Sequence, residues 1–550
     1  MATTEPKSTV DPVADLAEAV LDAAGELAGE GRRPTAARLS RPPKADFGDY
    51  SSNAPMLLAP LLGEPPRAVA ERLGAIVAER LGGALDRVDV AGPGFLNLFM
   101  SDAWFRGSLA AAAGAGEDYG RGSPDQPERV LVEFVSANPT GPANAATGRH
   151  AAYGDSLARI LSFAGHEVER EYYVNDYGSQ VRRFGESIQA RARGEEPPED
   201  GYQGEYVGEL AAQIGGAADM EIDELARIGV ELMVGQMRAT LERYRVEFDR
   251  FFHEHEVYES GAVDRAIELL TERDHVYESD GATWLRTSAL GDDKDRVLTR
   301  SSGEETYFGG DIAYHADKHA RGFDRVIDVW GADHHGYVAR MKAAWVALGG
   351  DRDKLELLIM QLVNLLEDGR VAQFSKRKGE FVSLDDLIDD IGVDAARFFM
   401  LQRSHDTTLD LDLKLAREQS QDNPVYYVQY AHARIASILR KAGDGRVEEA
   451  LGADLGAGGD GEAGLHPSAT ALLKFLLELP EEVRLAAERR APHRMTAYSL
   501  EVARSFSAFY RDCQVVGGDD EDFRIALSLQ ARRVIAQALD LLGVEAPEAM

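Results

Sequence analysis

Apolar residues recur along this chain in two rhythms, and the places where the rhythm changes divide it. From Pro12 to Gly31 the stripe Val13, Leu16, Val20, Leu21 and Ala24 has helical spacing. Pro42, Pro43, Gly48 and Ser51-Ser52-Asn53 mark loops, and a strand pattern follows near Phe95-Leu96-Asn97-Leu98. These patterns predict a small α+β module over residues 1–120, followed by the linker Gly120–Pro127 (GRGSPDQP).

The period changes at Val130. The run to Val135 has the composition of a buried parallel strand. Asn138-Pro139-Thr140-Gly141-Pro142 breaks it, and Leu157, Ile160, Leu161 and Ala164 then share one helical face, with Gly165 as a stop. A strand, a Gly-containing loop and a helix N-terminus make a phosphate-binding arrangement, because the first helical N–H groups are unpaired and the helix dipole favours anions. On spacing alone an ordinary βα turn fits equally well.

Arg170–Val174 reads as a second strand, and residues from about 180 to 305, mostly helical and polar, read as an insertion between two halves of a parallel sheet. The sheet resumes at Arg325–Gly331. A helix through Val338–Leu348 and an apolar run at Leu355–Leu366 follow. Ser383-Leu384-Asp385-Asp386 has capping-box spacing. From Ala395 onward the pattern is helical, with Asn423-Pro424 starting one helix, a Gly/Asp/Glu-rich loop over Arg446–Pro467, and three helices reaching Gly543. The expected architecture is an α/β domain over 128–405 between the N-terminal module and an all-α bundle over 406–550.

The length of 550 residues accommodates three to four domains of about 150 residues. Hydrophobic content of 44% and charged content of 28% suit a soluble chain with sizeable cores. No run approaches the ~20 apolar residues of a membrane span, and the first twelve residues lack a basic-then-apolar signal layout. A cytoplasmic protein with no membrane partner is expected. Cys513 is the lone cysteine, which excludes an internal disulfide and a cysteine metal cluster. The net charge of −34 weighs against a nucleic-acid partner, although net charge describes the long-range field and not one local surface.

His315 and His319 have zinc-ligand spacing, but Ala316 stands where a metalloprotease carries its glutamate. Asp333-His334-His335 and His253-Glu254-His255-Glu256 add candidate ligands on scattered segments, and spacing gives them no common geometry. No metal site and no protein-bound structural metal are expected. Gln373-Phe374-Ser375-Lys376-Arg377-Lys378-Gly379 follows an apolar run and precedes a capped helix. It reads as an exposed basic loop or as one that meets a triphosphate at the carboxyl ends of the sheet.

Taken together these segments resemble a family. The basic loop resembles the KMSKR loop of class I aminoacyl-tRNA synthetases, and SANPTGP followed by GRHAAYGDSLARIL resembles the HIGH-motif region of arginyl-tRNA synthetases. YVNDYGSQV (173–181), YFGGDIAYH (307–315), VIDVWGADHHGY (326–337), VSLDDLIDDIGVDAARFFMLQRS (382–404) and DNPVYYVQYAHARI (422–435) extend the likeness in order from about residue 33 to the C-terminus.

The resemblance implies a Rossmann-like catalytic domain, an N-terminal module touching tRNA and a C-terminal anticodon-binding bundle. It implies L-arginine, ATP with Mg2+, and tRNA(Arg) as partners of a monomer. Glu133 and Asp311 would hold the substrate guanidinium, a planar fork suited to carboxylates. Tyr307 would wall the pocket, and Asn138 and His334 would fix the amino-acid head group. Gly141, Gly331 and Asp333 would receive ATP, with Ser375, Lys376 and Arg377 steadying the pyrophosphate. Tyr426, Tyr430 and Arg434 would meet tRNA by stacking and phosphate contact. The alternative for Tyr426, Tyr427 and Tyr430 is bundle core, expected for two of the three. No editing domain is expected, because paired carboxylates reject uncharged analogues.

The chain departs from the family where the HIGH sequence falls on Asn144-Ala145-Ala146-Thr147, without either histidine. Losing one preorganised donor costs ~3 kcal/mol of barrier. Asn144 and Thr147 can still donate, uncharged, and Arg149 or His150 from the next turn would compensate. Gln373 likewise replaces the first lysine of KMSKR, while Lys376 remains. Two readings follow: an enzyme that activates arginine and charges tRNA(Arg), and a paralogue that binds tRNA or arginine without activating it.

Overall fold

The computed structural model describes residues 9–29, 37–371, 382–457 and 464–550. Its centre is an all-parallel sheet of β1 (Arg129–Glu133), β2 (Glu167–Val174), β3 (Arg250–His253), β4 (Arg325–Gly331) and β5 (Leu355–Met360), in the order β5-β4-β1-β2-β3. Val130, Leu131 and Val132 of β1 are buried, as a strand covered on both faces requires. From β1 the chain steps outward to β3, then returns to the other side of β1 at β4. The switch point between β1 and β4 is where such sheets bind ligands, beyond their carboxyl ends.

The expected insertion over 180–305 is corrected in one respect: Arg250–His253 lies inside it and is the sheet's edge strand, in register with Glu171–Val174. Four residues beginning with a charge are too short to display a period. Two further corrections concern the half after β5. Leu409–Asp412 is a strand parallel to Val363–Glu367, in a region expected to be wholly helical. Asp444–Gly452 is a helix where a loop was expected.

After β1 the chain turns into α1 (Ala145–Phe163), which packs closely on the strand it has just left. A Cβ on Gly154 would lie 2.0 Å from Phe134 Cγ, so only glycine admits this contact. α2 (Tyr307–Ala320) covers the opposite part of the sheet, and α3 (Leu384–Met400) lies against α1, bending at Gly392.

The N-terminal module carries a four-stranded antiparallel sheet, ordered Leu39–Ser40, Tyr50–Ser52, Phe95–Met100, Leu85–Ala91. Its first helix, Pro12–Ala28, is capped by Asp11. In the C-terminal bundle Asn423 caps Pro424–Ala442, and four helices follow residue 466 rather than the expected three, because Pro480 begins a separate one at Leu479–Glu488. Module and bundle are latched together. Arg106 forks onto Asp520 (Nη2–Oδ2 2.5 Å, Nη1–Oδ1 3.1 Å), Tyr119 OH donates to Leu476 O, Arg533 donates to Ala113 O, and Lys474 pairs with Asp49. Among the described residues no helix is long and apolar enough to cross a membrane.

Candidate active site

Three acids stand side by side across the sheet: Asp328 on β4 is in register with Glu133 on β1, and Glu133 with Glu171 on β2. All three are buried. Unscreened like charges at strand spacing are costly, so the row exists because α2 brings its partners down onto it. Lys318 Nζ donates to Glu133 Oε2 (2.5 Å) and to Asp328 Oδ1 (2.7 Å). Tyr314 OH donates to Glu171 Oε1 (2.7 Å), and Arg321 forks onto Glu171 with 2.6 and 2.9 Å bonds. Burial works against the Lys318 ammonium, but Asp328, Glu133 and Glu171 outweigh it and hold its pKa above the lysine range.

Glu133, expected to hold the substrate guanidinium, also has partners within the protein: its Oε2 faces Lys318, and its Oε1 accepts from Ser136 Oγ (2.8 Å), while burial still raises its pKa against the pull of Lys318. Ser136 earns its position by strain: Val135 (φ 69°) and Ser136 (φ 41°) are both left-handed, which for β-branched Val135 is costly. The same Oγ accepts from Tyr173 N, and Tyr172 OH donates to Ala137 O, which fixes the turn.

Asp311 lies nearer the start of α2 and accepts from Tyr337 OH (2.5 Å). Burial raises its pKa, with Tyr337 opposing. Near it is a carboxylate that the sequence did not single out as a substrate contact, Glu254. It is buried, its Oε2 has no hydrogen-bond partner among the described residues, and burial, followed by the like charge of Asp311, pushes its pKa up to about 7. Glu254 is buried and Asp311 half-buried, and because both are shifted toward their neutral forms a cation arriving beside them would be favoured. Glu254 sits between His253 and His255, a context that reads as a metal motif. Its link to Asp311 requires the fold. Tyr307 is 68% exposed at the rim, beside Gly178.

At the switch point, Asn144 and Thr147 form a reciprocal capping box on α1. Asn144 Oδ1 accepts from Thr147 N (3.0 Å), and Thr147 Oγ1 accepts from Asn144 N (3.3 Å). With Thr147 N thus occupied, the N–H groups of Ala145 and Ala146 remain at the head of the helix, where a phosphate would meet them. The loop is tied to the start of α3 by Leu384 N donating to Ala143 O (2.8 Å).

The compensation expected from Arg149 does not fit its surroundings. Its buried guanidinium donates to four carbonyls, those of Gln361 (2.6 Å), Leu362 (2.9 Å), Ser404 (3.0 Å) and Thr407 (2.7 Å), and holds two loops instead of facing the helix N-terminus. His150 is close to the switch point, but burial and then Arg149 lower its pKa to about 4, so it is neutral there. Neither supplies the missing positive charge.

Asn138 is exposed in the loop, Gly141 lies under Tyr206, and Gly331 ends β4. Asp333 and His334 follow it, largely exposed and 3.7 Å apart. Ser375, Lys376 and Arg377 lie outside the described residues, as does Gln373. On the bundle, Tyr426 and Tyr430 lie parallel with ring centres 6.1 Å apart, and Arg434 covers Tyr430 while approaching exposed Tyr510. Tyr427 donates to Ser507 and packs half-buried against the core, whereas Tyr426 and Tyr430 do not join it, so one tyrosine and not the expected two belongs to the bundle core.

A parallel sheet with its switch point at a capped helix and buried acids beside it is the arrangement of an α/β enzyme that binds a nucleotide beyond its strand ends. Residues 216–435 match the profile described as tRNA synthetases class I (R), catalytic domain. Residues 14–100 match the arginyl tRNA synthetase N terminal domain, and 428–550 the DALR anticodon binding domain. The chain is 45% identical to arginine--tRNA ligase of Frankia alni, over 98% of this chain and all of that one, and 43% identical to arginine--tRNA ligase of Bacillus licheniformis, over 98% of each. The solved arginyl-tRNA synthetase of Thermus thermophilus superposes with a TM-score of 0.76 at 26% identity, over 98% of this chain and all of that one. The chain belongs to the arginyl-tRNA synthetase family.

Proposed function

We propose that this chain activates L-arginine with ATP and transfers it to tRNA(Arg). Family membership over the full length supports the reaction. The observation that carries the substrate is the pair Asp311 and Glu254, one half-buried and one buried carboxylate, the second with one oxygen unpartnered among the described residues. A guanidinium supplies two parallel donors and a positive charge, and an uncharged side chain would leave both acids without a cation from the substrate. In this reading Glu133 acts from behind, holding Ser136 and the strained turn. Tyr307 walls the pocket, and Asn138 and His334 take the amino-acid head group.

The arginine carboxylate attacks the α-phosphorus of ATP, and pyrophosphate leaves. A ribose hydroxyl at the tRNA terminus then attacks the carbonyl carbon of the adenylate, AMP leaves, and the hydroxyl proton passes to solvent. The chain's part is positioning and charge stabilisation. Ala145 and Ala146 N–H, the α1 dipole and the Asn144 side-chain amide face the phosphates; Gly141, Gly331 and Asp333 receive the nucleotide; Ser375, Lys376 and Arg377 steady the pyrophosphate. Magnesium enters with the ATP phosphates as part of the substrate. Tyr426, Tyr430 and Arg434 offer stacking faces and a cation to tRNA. The enzyme acts as a monomer in the cytoplasm.

The test is pyrophosphate exchange into ATP with arginine and tRNA(Arg) present. Exchange that depends on arginine and fails with lysine or glutamine is expected, and none above background would overturn the reading. The capping box in place of two histidines favours one second reading, a binding paralogue without activation. In that case tRNA(Arg) binding persists while exchange is absent.

A further inference from the structure

Among the histidine groups that sequence spacing left scattered, the fold gathers one. His253 ends β3 and His255 lies two residues on, while Asp176 lies two residues beyond the end of the neighbouring β2. The ligand atoms of these three side chains lie within 4.8 Å of one another. Both imidazole Nδ1 atoms are 2.7 Å from the same oxygen, Asp176 Oδ2, and Asp176 Oδ1 accepts from His255 N (3.0 Å). Asp176 is nearly buried, whereas the His253 and His255 side chains are 28% and 41% exposed, which leaves a path from solvent.

We propose that Asp176, His253 and His255 form a binding site for a late first-row divalent transition metal, for which zinc is the probe. Two imidazoles and one carboxylate are a borderline-soft donor set that suits Zn2+, Co2+ or Ni2+ and not the oxygen-seeking Mg2+ or Ca2+. The carboxylate is oriented by a backbone N–H, as metal-binding carboxylates are. Zinc bonds of about 2.0–2.2 Å place ligand atoms about 3.3 Å apart, so each ring must withdraw from Asp176 by about half an ångström. On binding, each neutral ring carries its proton on Nε2, facing solvent, and Nδ1 on the ion. The ion would then hold in place the segment that carries Glu254. The site does not depend on which amino acid the enzyme activates.

The full-length chain, stripped with a chelator and desalted, is titrated with zinc chloride by calorimetry and with cobalt chloride by visible absorption. One equivalent of zinc is expected, with cobalt bands indicating four or five ligands. His253→Gln and His255→Gln keep a donor for Asp176, and each is expected to weaken zinc by about tenfold or more, with unchanged circular dichroism. A second measurement needs no variant: zinc is expected to protect His253 and His255 from diethylpyrocarbonate in the intact chain while exposed His466 still reacts. Absence of zinc binding at tens of micromolar, binding undiminished in the double variant, or protection confined to other histidines would each overturn the proposal.

Discussion

Lys318 reaches from α2 to within 2.5 Å of Glu133 at the end of β1, so one acid of the site is balanced before any substrate arrives. Removing the cation alone leaves Glu133 and Asp328 buried without their shared lysine, with only Ser136, Tyr314 and His315 as partners, a loss of up to about 3–5 kcal/mol. Lys318→Met is expected to lower the unfolding midpoint sharply, and adding Glu133→Gln is expected to restore part of it. Urea unfolding of the parent, both singles and the double checks the sign of that coupling.

Glu254 and Asp311 are expected to govern arginine affinity. Glu254→Gln and Asp311→Asn each remove one charge-assisted partner, worth about 2–5 kcal/mol when buried, so the KM for arginine rises by about thirtyfold or more. Glu133→Gln is expected to move stability more than KM. Steady-state exchange kinetics on the three variants separates these roles.

The raised pKa of Glu254 gives a pH test. In the free protein its carboxyl is protonated below about 7, and it must ionise to pair with a guanidinium. Arginine affinity should therefore fall as pH drops from 8 to about 6, with proton release on binding, seen by calorimetry in buffers of different ionisation enthalpy. Glu254→Gln should flatten that part of the profile. Since the folded pKa lies above the unfolded one, the stability that this group contributes to the free protein is present below the usual carboxylate range and is lost as pH rises to about 7.

Arg149 is expected to act on folding. Arg149→Met strands four carbonyls, and each buried unpaired group costs about 1–3 kcal/mol. Lysine cannot reproduce the fork, so Arg149→Lys should rescue little. Well below the unfolding midpoint, exchange kinetics should stay near the parent's, whereas a phosphate-binding role would lower them at every temperature.

The capping box can be separated from phosphate contact at one position. Asn144→Ala removes the cap, at a cost of about 1 kcal/mol. Asn144→Asp keeps an acceptor for Thr147 N but places negative charge before the phosphates. The aspartate variant is expected to melt like the parent and to activate arginine poorly. Thermal melts and exchange assays together decide it.

The parallel sheet was legible because Val130–Val135 and Arg325–Gly331 carry enough apolar residues to display a period. Arg250–His253 and Leu409–Asp412 were not, since four residues hold no period against a helical background. Asp311 was found through a motif that surrounds it in sequence. Glu254 was masked by its histidine neighbours, and only the packing of β3 beside α2 gives it a pocket. Arg149 misled because charge and proximity in sequence say nothing of direction. Its side chain is consumed by carbonyls more than two hundred residues away.

The latch between Arg106 and Asp520 joins the first and last parts of the chain. A nucleic acid that touches the module with one arm and the bundle with another meets two sites at a fixed separation. Seating one arm then raises the effective concentration of the other, a gain that exists only while the span is constant. Loosening this ion pair would leave each contact intact and still weaken the whole, through avidity and not through any lost bond to the ligand.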